Sequence, residues 1–217
     1  MTPSKINHPN LPKPMSQLMP AAKVEPALVL EGVEIDHVIW AGQKSRLVHF
    51  DSVRFIEPDL TGAALREGGW EDVEISGGQL GGLNLTGSSL RRLLIQRVRM
   101  SGVVLAETEL KDIIIEDTKL DLANFRFAKL ARVRFVRCQL IDADFGAAQL
   151  VDVDFINCDL TSADFSGVTM QRVDLRSSVV QQIKGIIGLK GATINYDQMI
   201  TLVPELASGL GIEVKND

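Results

Sequence analysis

Every fifth residue from Phe50 to Val180 is apolar, running Phe50, Phe55, Leu60, Leu65, Trp70, Ile75 and on to Phe165, Met170, Leu175 and Val180 without a break. A period of five matches neither the turn of a helix nor the alternation of a strand, so no single element explains it. It describes a stack of short units, each burying its apolar residues against its neighbours. The series reaches back through Trp40 and Ile35 to Leu30, with Ser45 as the one polar member. Two residues ahead of each apolar centre lies a second selected position. From Val48 to Ser178 it is never charged, and after Leu93 it is never larger than Ile. One large and one small side chain therefore point inward in each unit. The other three positions carry nearly all the charge.

Ala123-Asn124-Phe125, Ala143-Asp144-Phe145, Cys158-Asp159-Leu160, Ala163-Asp164-Phe165 and Val173-Asp174-Leu175 resemble the Ala-Asp/Asn-Leu/Phe units of the pentapeptide repeat family. The resemblance covers residues 30–180. It implies an all-β solenoid: a right-handed quadrilateral β-helix with four units, hence 20 residues, per coil. The sequence carries its own trace of that longer period. Gly42, Gly62, Gly82 and Gly102 form one column. Phe125, Phe145 and Phe165 form another, in line with Leu65, Leu85 and Leu105, and Phe135 and Phe155 fall on the opposite face. Coils at β-strand spacing make residues 30–180 a rod of about 7.5 coils, ~35 Å long.

Residues 1–27 contain Pro3, Pro9, Pro12, Pro14, Pro20 and Pro26 and no periodicity. They read as a flexible Pro-rich tail, either without a role or acting as an arm that docks on the first coil or on a partner. Residues 28–194 read as the β-helix, and 195–217 as an α-helical cap and dimerisation module. The phase slips by one residue near Gly185, after which Leu189 and Ile194 continue it, with Ile187 and Ala192 at the small inward position. Asn195 and Gln198 make a capping-box start. Tyr196, Met199, Ile200, Val203, Leu206, Ala207 and Leu210 form one apolar stripe at helical spacing, to cap the last coil, pair two chains, or both. Pro204 kinks this helix or starts a second one. Ile212 to Val214 reads as a short final strand.

A net charge of −5 argues against a globally basic nucleic-acid binder. Aromatic content of 5% and a single tyrosine, Tyr196, argue against base-stacking platforms. No apolar run spans a membrane and no secretory leader is legible, so the expected compartment is the cytoplasm. His8 lies in the tail, and His37 and His49 lie at outward positions, outside any metal-ligand spacing. Cys138 and Cys158 stack one coil apart as small core filler. Gly77-Gly78-Gln79-Leu80-Gly81-Gly82 lacks the ending of a phosphate loop and reads as a side-chain-poor corner. No catalytic, cofactor or metal site is legible, and the chain is expected not to be an enzyme.

Charge is banded. Residues 27–90 carry ten acids and four bases, 91–140 eleven bases and six acids, and 141–180 seven acids and two bases. Asp72, Arg92, Asp112, Arg132, Asp152 and Arg172 stand 20 residues apart and alternate in sign, which reads as an ion-pair ladder that sets coil register. Phe125, Phe135, Phe145, Phe155 and Phe165 are the expected core. Asp144, Asp154, Asp159, Asp164 and Asp174 occupy the repeat's acidic position and are weak evidence for a partner.

The residues point to a rigid, non-catalytic scaffold for protein–protein interaction. The resemblance implies an alternative, because some pentapeptide repeat proteins imitate DNA and bind type II topoisomerases, DNA gyrase or topoisomerase IV, conferring resistance to gyrase poisons. A homodimer through residues 186–217 suits either reading. The basic band counts against a uniform DNA mimic.

Overall fold

The computed structural model describes residues 5–18, 23–213 and 215. Residues 1–4, 19–22, 214, 216 and 217 lie outside the described residues, and with them Pro3 and Pro20 of the Pro-rich segment and Val214 of the expected final strand. The fold is a right-handed quadrilateral β-helix, a parallel solenoid of about 9 turns with a small C-terminal helical part.

Its strands are β1 Ser16–Gln17, β2 Val29–Glu31, β3 Val33–Asp36, β4 Lys44–Arg46, β5 His49–Ile56, β6 Ala64–Arg66, β7 Gly69–Ser76, β8 Ser89–Gln96, β9 Glu109–Glu116, β10 Lys129–Val136, β11 Gln149–Ile156, β12 Thr169–Asp174 and β13 Ala192–Thr193. One sheet runs β1-β3-β5-β7-β8-β9-β10-β11-β12-β13, with β2 added to β5, and β4 pairs with β6. All pairs are parallel, and the register repeats at 20 residues, as in Phe135 opposite Phe155. The long strands cover two sides of the coil. Single-residue bridges such as Arg99–Lys119 and Asn124–Asp144 hold the other two.

The inward positions form one continuous core. Phe125, Phe145 and Phe165 stack at centroid distances of 4.7 and 5.2 Å, nearly coplanar, and Phe135 lies 5.0 Å from Phe155. The two columns meet edge-on, with Phe125 6.0 Å from Phe135 and Phe145 5.9 Å from Phe155. These contacts use both geometries that aromatic quadrupoles favour. At the N-terminal end Trp40, Phe50, Phe55 and Trp70 close the coil in a mixed cluster.

The corners follow a rule the apolar pattern did not reveal. The residue two positions after each centre has positive φ in most units, and it is often not glycine: Asp72 (φ 53), Glu107 (57), Leu122 (59), Phe127 (58) and Arg132 (54) all adopt it. This bend turns the chain from one side of the coil to the next. Gly42, Gly62, Gly82 and Gly102 are one corner column, where the absence of Cβ removes the steric penalty.

Three expectations are revised. The solenoid begins before residue 28: Val24 is buried with its N–H held by the Gln43 side chain at 2.7 Å, and the Ala27 N–H reaches the Arg46 carbonyl at 3.0 Å. Of the two readings of the Pro-rich segment, the docked arm fits and the loose tail does not, since Ser16–Gln17 adds a strand to β3 and Ile6 is buried. At the C-terminal end, Asp164 pairs with Lys184 at an offset of 20 but Val173 pairs with Ala192 at 19. A 3-10 turn, Ile186–Leu189, opened by Gly185 at φ 65, absorbs the missing residue. It turns Ile186 inward and leaves Ile187 exposed, so Ile187 is not the inward residue of that unit.

Candidate interaction surfaces

The outward columns are ion-paired along the rod. Arg92 forks onto Asp72 with N–O distances of 2.7 and 2.6 Å, and Arg132 onto Asp112 at 2.6 and 2.9 Å. Arg172 forks likewise onto Asp152. Each arginine thus engages the acid one coil earlier, and the ladder is built of bidentate pairs, the stronger form of this contact. Hydrogen bonds from Arg132 hold Asp112 below the ordinary carboxylate range against the opposing effect of burial. Burial pushes Asp72 up, but hydrogen bonds from Arg92 and the Asn10 backbone outweigh it and leave the group low. Arg92 and Arg132 are correspondingly raised by hydrogen bonds to Asp72 and Asp112.

Other columns carry the same device. Arg54 bridges Glu34 and Glu74 at 2.9 Å each, Arg134 reaches Asp154 at 3.1 Å, and Arg137 forks onto Asp117 at 2.6 and 2.8 Å. Reading every outward position at an offset of 20 finds these pairs in the sequence.

The repeated acid has a different job. The carboxylates of Asp59, Asp144, Asp159, Asp164 and Asp174, and the amides of Asn84 and Asn124, accept the backbone N–H two residues on at 2.7–3.0 Å. These are Asx turns that shape the coil. Asp154 instead pairs with Arg134.

Residues 96–165 match the family model described as Pentapeptide repeat region. That stretch of the chain is a pentapeptide repeat region. A trypsin-treated form of QnrB1, a plasmid-mediated fluoroquinolone resistance protein, is 17% identical, covering 93% of this chain and 100% of its own, with a TM-score of 0.35. HetL, a pentapeptide repeat protein involved in heterocyst differentiation regulation from the cyanobacterium Nostoc, is 19% identical, covering 78% of this chain and 90% of its own, with a TM-score of 0.33. A comparison with curated proteins found no match.

Of the bulky apolar residues exposed along the solenoid, two share one side of a single coil. Leu122 (63% exposed) and Phe127 (55%) occupy positive-φ corners at either end of one side of a single coil. The Arg126 guanidinium lies 5.3 Å from the Phe127 ring centre and pairs with Asp144. In the two corner columns the neighbours one coil away are Gly102 and the exposed Asp142 beside Leu122, and Ala147 and the exposed Glu107 beside Phe127.

At the C-terminal end, helix α1 (Tyr196–Thr201) starts with a reciprocal capping box between Asn195 and Gln198, and α2 (Val203–Gly209) follows with Pro204 in its first turn. The lid is not the whole stripe. Gln198 is buried and donates to the Leu175 and Ser178 carbonyls at 2.6 Å, satisfying the last coil's backbone. Leu202 is 1% exposed and Leu206 packs beside it on the core. Tyr196, Met199, Ile200, Val203 and Leu210 face outward. Ile212 and Glu213 form no strand.

Cys138 and Cys158 are buried free thiols on successive coils. The hydrogen bond to Cys158, together with burial, pushes the Cys138 thiol well up. Among the described residues no group of three or more His, Cys, Asp or Glu side chains has metal-binding geometry, and no helix is long and apolar enough to cross a membrane.

Proposed function

We propose that this chain is a non-catalytic scaffold that binds a protein partner through the side of the rod bearing Leu122, Arg126 and Phe127. The exposed Leu122–Phe127 pair carries the reading. Both stand at left-handed corners, where a side chain carries a steric cost, and both expose apolar surface that the coil does not use for packing. An exposed aromatic beside an arginine has the composition of an interface anchor. The test is cross-linked capture from the source cells with wild-type protein and with Leu122→Ser/Phe127→Gly, after both show equal thermal stability. Recovery of one partner by wild type and its loss by the variant supports the proposal. Equal recovery by both overturns it.

The second reading, modulation of DNA gyrase or topoisomerase IV, is what the family resemblance implies. The exposed apolar end formed by Tyr196 (78% exposed), Met199, Ile200, Val203 and Leu210 favours the end-to-end homodimer that this reading shares. A gyrase supercoiling assay with and without the chain tests the activity, and light scattering tests the dimer.

A further inference from the structure

The N-terminal arm lies along the ladder corner. The Asn7 side-chain amide donates to Asp112 Oδ2 at 3.4 Å, although the two residues are 105 apart in sequence. The backbone N–H of Asn10 donates to Asp72 Oδ1 at 2.8 Å, and Ser52 Oγ donates to the Asn10 carbonyl at 3.5 Å. Further on, Ser16–Gln17 pairs in register with Val33–Glu34. The arm therefore runs back up the rod to its N-terminal end, crossing the corner positions of residues 112, 92, 72 and 52.

Two lengths match. Asp112 and Asp72 are two coils apart, ~9.6 Å at strand spacing, and Asn7 to Asn10 is three extended residues, ~10 Å. Because the column alternates in sign, its acids recur every second coil, so an extended chain beside it meets one at every third residue. Each acid is already gripped by an arginine fork, which fixes its carboxylate and leaves capacity for another donor. Beside the described arm the Asp72 and Asp112 side chains are only 8% and 3% exposed. Asp152, the next acid along the column, is 17% exposed. Ile114, which follows Asp112 at an outward position, is itself buried, as is Ile6 next to Asn7. The tie is shallow nonetheless, since Asn7, His8, Asn10, Pro12 and Lys13 remain exposed.

We propose that this corner is a docking surface for an extended peptide with a hydrogen-bond donor at every third residue, and that a partner segment of this pattern displaces the arm that occupies it. The surface differs from the Leu122–Phe127 face and does not depend on that face having a partner. A tethered arm competes at a high effective concentration, so the intact chain resists added peptide.

The test uses full-length protein and a fluorescein-labelled synthetic peptide of residues 5–18, read by anisotropy. In one chain Asn7→Ala/Asn10→Pro removes the Asn7 side-chain donor and the Asn10 N–H from the resident arm without changing a solenoid residue. This chain is expected to bind the peptide about ten-fold more tightly than wild type, and a peptide carrying Asn10→Pro is expected to bind it at least about ten-fold more weakly than the unmodified peptide, as for loss of a hydrogen bond to a charged group. Equal binding by the two chains, or equal binding of the two peptides, overturns the proposal. Thermal melts of both chains confirm that the coil is unchanged.

Discussion

Phe145→Ala tests the core most directly. Phe145 is fully buried, stacked at 4.7 Å on Phe125 and 5.2 Å on Phe165, and edge-on to Phe155 at 5.9 Å. Removing a buried Phe side chain costs about 3–5 kcal/mol, with the spread set by how far the site collapses. Collapse is resisted here, because the coil spacing is held by backbone hydrogen bonds: the Phe125 N–H reaches the Asp144 carbonyl at 2.7 Å, and the Phe145 N–H reaches that of Asp164 at 2.8 Å. Each aromatic pair adds about 0.5–1.5 kcal/mol beyond buried area, so the expected loss lies near 5 kcal/mol. The assay is guanidinium unfolding followed by circular dichroism. Because each coil contacts only its neighbours, a drop in slope together with the midpoint would show the rod dividing at the altered coil. A loss below about 1 kcal/mol would refute the reasoning, since no fully packed Phe is removed so cheaply.

Gly78→Ala is expected to cost about 2–4 kcal/mol in the same assay, from overpacking and a strained positive φ, because a Cβ there would lie 2.3 Å from the Pro58 carbonyl oxygen. Gly62→Asn is expected to cost no more than about 1 kcal/mol by thermal melt, since nothing lies within 4 Å of the corresponding Cβ and only the strain of a side chain at φ +63 remains, which Asn bears best. Gln198→Leu should cost about 2 kcal/mol or more by leaving the Leu175 and Ser178 carbonyls unpaired, with hydrogen exchange accelerating first in the last coil. Asp72 and Asp112 are held low in the folded chain. Their contribution is complete above the ordinary carboxylate value and is lost as pH falls through the depressed folded values. Asp112→Asn should therefore flatten the acid limb of a stability–pH curve, and an unchanged limb would remove the pair from that account.

The repeat was legible because it is local. A residue's place in its five-residue unit decides whether it points in or out, and an inward position tolerates only an uncharged side chain of the right volume. The aromatic stacks and the ladder follow once the 20-residue coil is known. The roles of Asp144 and Asp154 were harder to separate, because one closes a turn and the other meets Arg134 one coil away, and both look alike within a unit. The apolar stripe after Asn195 was visible, but only packing on the last coil shows that Leu202 and Gln198 close it while Tyr196 and Ile200 face outward.

By itself, then, the sequence determined the coil: its inward residues, its stacking offset and the place where it ends. Tertiary structure decided what lies on the coil. Asn7 meets Asp112 across 105 residues, and Leu122 and Phe127 share one side of a single coil with Asp142 and Glu107 stacked beside them. The physical reason is one of range. Repeat geometry is enforced within five residues and copied every twenty, whereas a surface is made by side chains that share no unit and meet only when the rod is built.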